Sequence, residues 1–89
     1  MDTSEFEKSR RAEGFQSFEL KSLDHTYATT PHAHPFDVAA LVTKGEITLT
    51  CGGQARTYRP GEIFTMAQGT QHFERVGAEG VEYFAATRR

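Results

Sequence analysis

From Phe15 onward, glycine or proline interrupts the chain at short, even intervals, and between these corners apolar and polar residues alternate. Breaks this frequent leave no room for long helices, so the spacing predicts a run of short antiparallel strands forming one sandwich or barrel. "FQSFELKSL" places Phe18 and Leu20 on one face and Glu19 and Lys21 on the other. "VAALV", inside a strand expected over residues 36–43, is apolar on both faces, and both should be covered by protein. "KGE" (Lys44–Glu46) reads as a turn, and "ITLTC" alternates as a half-buried strand. Gly52-Gly53 supplies the positive φ of a tight hairpin, from which "QARTYR" returns to a turn at Arg59–Gly61. Further strands are expected at "EIFTM", "QHFERV" and "VEYFAAT", separated by "AQGT" and "GAEG".

Ahead of Phe15 the pattern changes. Ser4 and Glu7 have the S-x-x-E spacing of a capping box, and Gly14 stands where a left-handed C-terminal cap is needed, so residues 4–13 read as a short helix. A chain of 89 residues supports only one core. The expected organisation is therefore a single domain over residues 1–89, with an N-terminal helix in 1–14 and a β-barrel in 15–89. Seven Phe and three Tyr argue for a folded core despite an apolar content of only 37%.

Charge narrows the partners. The net charge is −2, and the basic residues are scattered apart from Arg10-Arg11 and Arg88-Arg89, so no stripe suits a phosphate backbone and no nucleic-acid partner is expected. "MDTSEFEKSR" has no apolar stretch, and no later segment is long enough to span a bilayer, so no membrane partner is expected either. A cytoplasmic location is expected, and the single Cys51 fits a reducing compartment. Ala39 and Leu41 are apolar on the face opposite Val38, Ala40 and Val42. A barrel hides only one of these faces; a partner sheet, a helix or a second subunit could cover the other, and a homodimer burying it with help from the N-terminal helix is expected.

The chemistry concentrates in "TTPHAHPFD", residues 29–37. Alternate side chains of an extended strand share a face, so His32 and His34 point the same way, close enough to grip one ion. Pro31 and Pro35 cannot donate to a ladder, which puts the pair at a strand end or barrel mouth. A catalytic metal usually takes three protein ligands and keeps an open position. Of the other two histidines, His25 lies in an apparent turn, whereas His72 begins an apparent strand and is the better third candidate. Glu74 shares a face with His72 and is a candidate ligand, partner to an imidazole, or general base. Asp37 is a second acid–base candidate, but alternation turns it away from His32 and His34 unless a bulge reverses the phase.

"PHAHPFDVAALVTKGE" followed by "PGEIFTMAQGTQHFERV" resembles the two motifs of the cupin superfamily, with Gly45, Gly61, Gly69 and His72 in register. The likeness covers roughly residues 28–85 and is far more specific than H-x-H alone. It implies a double-stranded β-helix, or jelly-roll, barrel in which His32, His34 and His72 are the metal ligands. This chain departs from the pattern at Val38, where the family has a glutamate, at Ala67, where it has proline, and at Val76, where it has asparagine. The resemblance implies one divalent transition metal (Fe, Mn, Zn or Ni) and a small polar or anionic molecule as substrate or ligand. Two functions are compatible with it: a metal-dependent dioxygenase or isomerase, and a sensor-type module that binds a small molecule without catalysis.

Overall fold

The computed structural model describes residues 1–89. One helix, α1 (Ser4–Ala12), precedes five strands: β1 (Ser17–Leu23), β2 (Asp37–Cys51), β3 (Gln54–Tyr58), β4 (Ile63–Met66) and β5 (His72–Arg88). All pairings are antiparallel, in the order β1-β5-β2-β3, with β4 added to β2. The sheet does not close completely, yet the architecture is the mostly-β barrel expected from the sequence.

β2 and β5 are much longer than the sequence suggested, because two stretches taken as turns lie inside strands. The two strands pair from Asp37↔Arg88 to Cys51↔His72, and the register shifts between Val42 and Lys44 and again between Gly45 and Ile47. "KGE" is therefore a bulge in β2, and "GAEG" is the facing part of β5. Gly45 has φ +68°, and a methyl group placed on it would overlap the carbonyl oxygen of Gly80. A glycine that permits a hairpin also permits a bulge, which is why the two were indistinguishable in the sequence.

The bend divides the β2–β5 ribbon in two. In one half, β1 and β4 flank it; in the other, β3 pairs with β2 while Ala28 and His32 bridge to Arg75 and His72 of β5. The halves fold toward each other over a core that includes Val42, Ile47, Leu49, Phe64, Val76 and Tyr83.

The outer face of β2 is covered by the chain itself. Phe6 of α1 and Phe15 just after it cluster with Ala39, Leu41 and Ala86, and Ala39 is 0% exposed. Burying each phenylalanine contributes about 1.5–3 kcal/mol. Of the covers considered from the sequence for Ala39 and Leu41, the helix is the one present, and a second copy is not needed for these two residues. Both faces of "VAALV" are buried as expected, one by the barrel and the other by α1.

The helix starts differently from the expectation. Ser4 is its first residue and not its cap; the Asp2 carboxylate accepts from the Ser4 N–H (2.9 Å) and hydroxyl (2.7 Å), and Glu7 pairs with Arg11. Its end follows the glycine rule. Gly14 has φ +91°, its N–H donates to Arg11 O, and the Phe15 N–H donates to Arg10 O, which is a Schellman ending that aims Phe15 at the sheet.

Candidate metal centre

Two backbone hydrogen bonds set the site. His32 and His72 exchange both, N–H to O at 2.8 and 2.9 Å, so they stand directly opposite each other with side chains on one face. The strand period places His34 on the face of His32 and Glu74 on the face of His72. The Gly69 N–H donates to His34 O (2.8 Å) and joins the two histidine-bearing segments at the next step. Three imidazoles thus converge, with ring centres 4.4 Å apart for His32 and His72, 5.0 Å for His32 and His34, and 5.2 Å for His34 and His72.

Both opposed histidines are oriented by the same local device. Nδ1 of His32 lies 2.8 Å from Thr30 O, and Nδ1 of His72 lies 2.9 Å from Thr70 O. A carbonyl only accepts, so each Nδ1 carries the hydrogen, and each Nε2 turns a lone pair toward the centre. His34 is held differently, stacked on Phe36 at 5.0 Å and 18°. Burial, then the neighbouring His32 and His72, push the His34 imidazole below its ordinary pKa, with Glu74 opposing and Lys21 assisting. That favours the neutral ring.

Glu74 completes the cluster. It is only 8% exposed, and its Oε2 lies 3.4 Å from Nε2 of both His32 and His72. One ligand atom from each of the four residues lies within 4.8 Å of the others. With both Nδ1 atoms donating outward, Nε2 of the neutral His32 and His72 rings and Oε2 of Glu74 meet as acceptors, and Nε2 of His72, itself 2% exposed as a residue, has no hydrogen-bond partner. Of these, His72 and Glu74 are buried, and two buried acceptors facing each other with no donor between them are unfavourable. One proton can bridge one pair of these atoms; a dication can be bound by all of them. The 3.4 Å separations also match the edge expected between two donors that each sit about 2.1 Å from a shared zinc-like ion in a tetrahedral arrangement. Three nitrogens and a carboxylate oxygen suit zinc, iron, manganese or nickel alike.

Asp37 lies outside this group. Its carboxylate accepts from the Gln68 N–H (2.8 Å) and pairs with Arg88 (2.9 and 3.0 Å), interactions that lower its pKa. The chain bends at Pro35 and Phe36 before β2 begins, so strand alternation does not run from His34 to Asp37, and the Asp37 carboxylate is directed to Gln68 and Arg88, where it serves as a tether instead of an acid–base group. His25 is exposed, and Val38 lines the neighbouring cavity.

That cavity, of about 140 Å³, opens beside His34 and Glu74. Val38, Phe64, Met66 and Ala85 form an apolar floor, and Tyr83, its hydroxyl held protonated by burial and by the charge of Glu74, lies between floor and cluster. Ser17, Glu19 and Lys21 of β1 form the remaining wall. The sequence reading did not assign these three to the site; their alternation with Phe18 and Leu20 was the available signal. Wider depressions elsewhere, such as that between Ser22–His25 and Ala78–Glu82, are open to solvent and hold no converging ligand atoms.

Comparison with known proteins agrees with this architecture. The AraC-like ligand binding domain family matches residues 15–87. A cupin-2 domain protein from Shewanella frigidimarina superposes with a TM-score of 0.69 at 16% identity, covering 92% of both chains. A cupin 2 conserved barrel protein from Salinispora arenicola gives 0.71 at 15% identity, over 81% of this chain and 61% of that one. A cupin superfamily protein from Desulfitobacterium hafniense gives 0.70 at 18%, over 82% and 70%. At these identities the structural likeness establishes the fold alone. No curated protein sequence matches. With β-strands and histidine cluster arranged as described and residues 15–87 matched, this chain belongs to the AraC-like ligand-binding family of the cupin superfamily.

Proposed function

We propose that this chain binds one divalent transition metal through His32, His34, His72 and Glu74, and uses it to hold a small polar molecule in the adjoining cavity. The observation that carries the reading is the convergence of acceptors: Nε2 of His32 and His72 and Oε2 of Glu74 meet with no donor between them. A bound dication supplies a Lewis-acidic centre for an oxygen or nitrogen of the ligand. Glu74, a candidate ligand from the face it shares with His72, takes the carboxylate's part. The family's carboxylate position is Val38, on β2, and here a carboxylate arrives from β5 instead. Ligand binding is the function this geometry supports best. The dioxygenase or isomerase activity considered from the sequence would require chemistry at the same centre, with Tyr83 and Glu74 the nearest groups able to hold a proton.

Residues 1–89 form one unit in this reading, α1 covering the outer face of the barrel. Homodimerisation, if retained, would use the apolar side chains that α1 leaves open on either side, Leu20 at 57% and Ile63 at 41% exposure.

The test is metal content. Untagged protein, loaded with Zn²⁺ and freed of excess ion, is expected to retain about one ion per chain, and His72→Ala is expected to retain none. Unchanged retention in a folded His72→Ala variant would remove the site.

A further inference from the structure

The two faces of β1 have different tasks. Phe18 packs on Phe84 and the apolar cluster beneath α1, and Leu20 on the same face remains exposed, while the polar Ser17, Glu19 and Lys21 line the cavity. Register shows how they meet the rest of the wall: Lys21 lies opposite Tyr83, Glu19 opposite Ala85, and Ser17 opposite Thr87. Neither Glu19 nor Lys21 takes part in the ion pairs of the protein. Two unpaired charges of opposite sign therefore border an otherwise apolar floor, about 7 Å apart along the strand. Lys21 stands toward the end of the cavity that His34, Glu74 and Tyr83 line, with Glu19 one step further from it.

We propose that the inward face of β1 selects a small zwitterion, with Lys21 holding its carboxylate, Glu19 its ammonium group, and the floor formed by Val38, Phe64, Met66 and Ala85 its short aliphatic body. This rests on the reading of the cavity as the ligand site. The cavity, about 140 Å³, suits a ligand with a short carbon chain besides its charged ends. A purely anionic ligand would leave Glu19 facing its negative charge. A purely cationic one would face Lys21.

Three probes of one length separate these cases: 4-aminobutanoate, butanoate and butylammonium, titrated calorimetrically into the Zn²⁺-loaded protein. The zwitterion is expected to bind at least ~10-fold more tightly than either singly charged probe. Lys21→Met is expected to bring it down to the level of butylammonium, and Glu19→Gln to that of butanoate. Both positions are exposed, so the variants are expected to fold, which circular dichroism checks. Equal binding of butanoate and 4-aminobutanoate, or indifference to Glu19→Gln, overturns the proposal, as does failure of all three probes to bind. Repeating the titration on His72→Ala separates this from the metal reading. Discrimination by Lys21 and Glu19 that survives there sustains the β1 proposal even if no metal is bound. Its absence in a protein that retains Zn²⁺ overturns the β1 proposal alone.

Discussion

Glu74 is where the properties of single residues matter most. Its carboxylate is buried against two imidazole lone pairs, an arrangement that is adverse without a cation and favourable with one. Glu74→Gln exchanges an acceptor for an amide that can donate to Nε2 of His72. The variant is therefore expected to melt higher than the wild type when both are stripped with chelator, by about 1 kcal/mol, the scale of one recovered hydrogen bond. Its affinity for Zn²⁺ is expected to fall at least ~10-fold. Calorimetric melting and competition with a chelating dye read the two effects, and a Gln variant that loses stability in the stripped form would contradict the acceptor geometry. Much of this site was legible in the sequence. The H-x-H spacing and the place of His72 follow from strand period and motif, and so does the shared face of His72 and Glu74. What the sequence did not contain was the His32–His72 bridge, which brings Glu74 to both imidazoles at once. Period fixes a face; only pairing fixes the neighbour across it.

Among the elements, the start of β2 is tied down by Asp37. Its carboxylate joins the Gln68 N–H to Arg88 at the end of β5, and Arg88 also donates to Glu13 O behind the helix and lies over the Phe15 ring at 4.5 Å. First the Gln68 hydrogen bond and then Arg88 lower the Asp37 pKa. A depressed carboxylate contributes stability that is fully present above its unfolded pKa, near 3.9, and is lost as pH falls through the folded value. Asp37→Asn is thus expected to lower Tm at pH 7 and to narrow its gap to the wild type below about pH 3. Thermal melts across that range check it, and a gap that stays constant would assign the loss to something other than charge. Elements were read from the sequence with uneven success. Gly52-Gly53 does make the β2–β3 hairpin, and Gly14 does end α1. Gly45 and Gly80, in contrast, sit where two backbones cross closely, and nothing local distinguishes such a glycine from one in a turn. The capping box failed for a similar reason: Asp2 competes for the same N–H two residues earlier.

For the molecule as a whole, the bend at Gly45 decides whether the β2–β5 ribbon folds back on itself at all. Gly45→Ala must either strain φ or push Gly80 away, and both flatten the ribbon over the core. The expected loss is about 3 kcal/mol, a fall in Tm on the order of 10–20 °C for a chain of this size. An alanine variant melting within a few degrees of the wild type would show that the crossing yields easily. The sequence announced a barrel through its corners and its two-sided "VAALV" strand, and it allowed a helix, a sheet or a second subunit over the outer surface without choosing α1, because a nine-residue amphipathic helix can dock on any apolar face. One further consequence follows from the pairing of β1 with β5 alone. On the ribosome β1 emerges early and finds no neighbour until the distal half of β5 has been made. Assembly order and synthesis order are opposed, and the growing chain holds its first strand in waiting until β5 appears. Contacts so distant along the chain place refolding in the slow, millisecond-to-second regime of β-proteins. During that interval "VAALV" is exposed, making the unfinished polypeptide, more than the finished barrel, the form most in need of a chaperone.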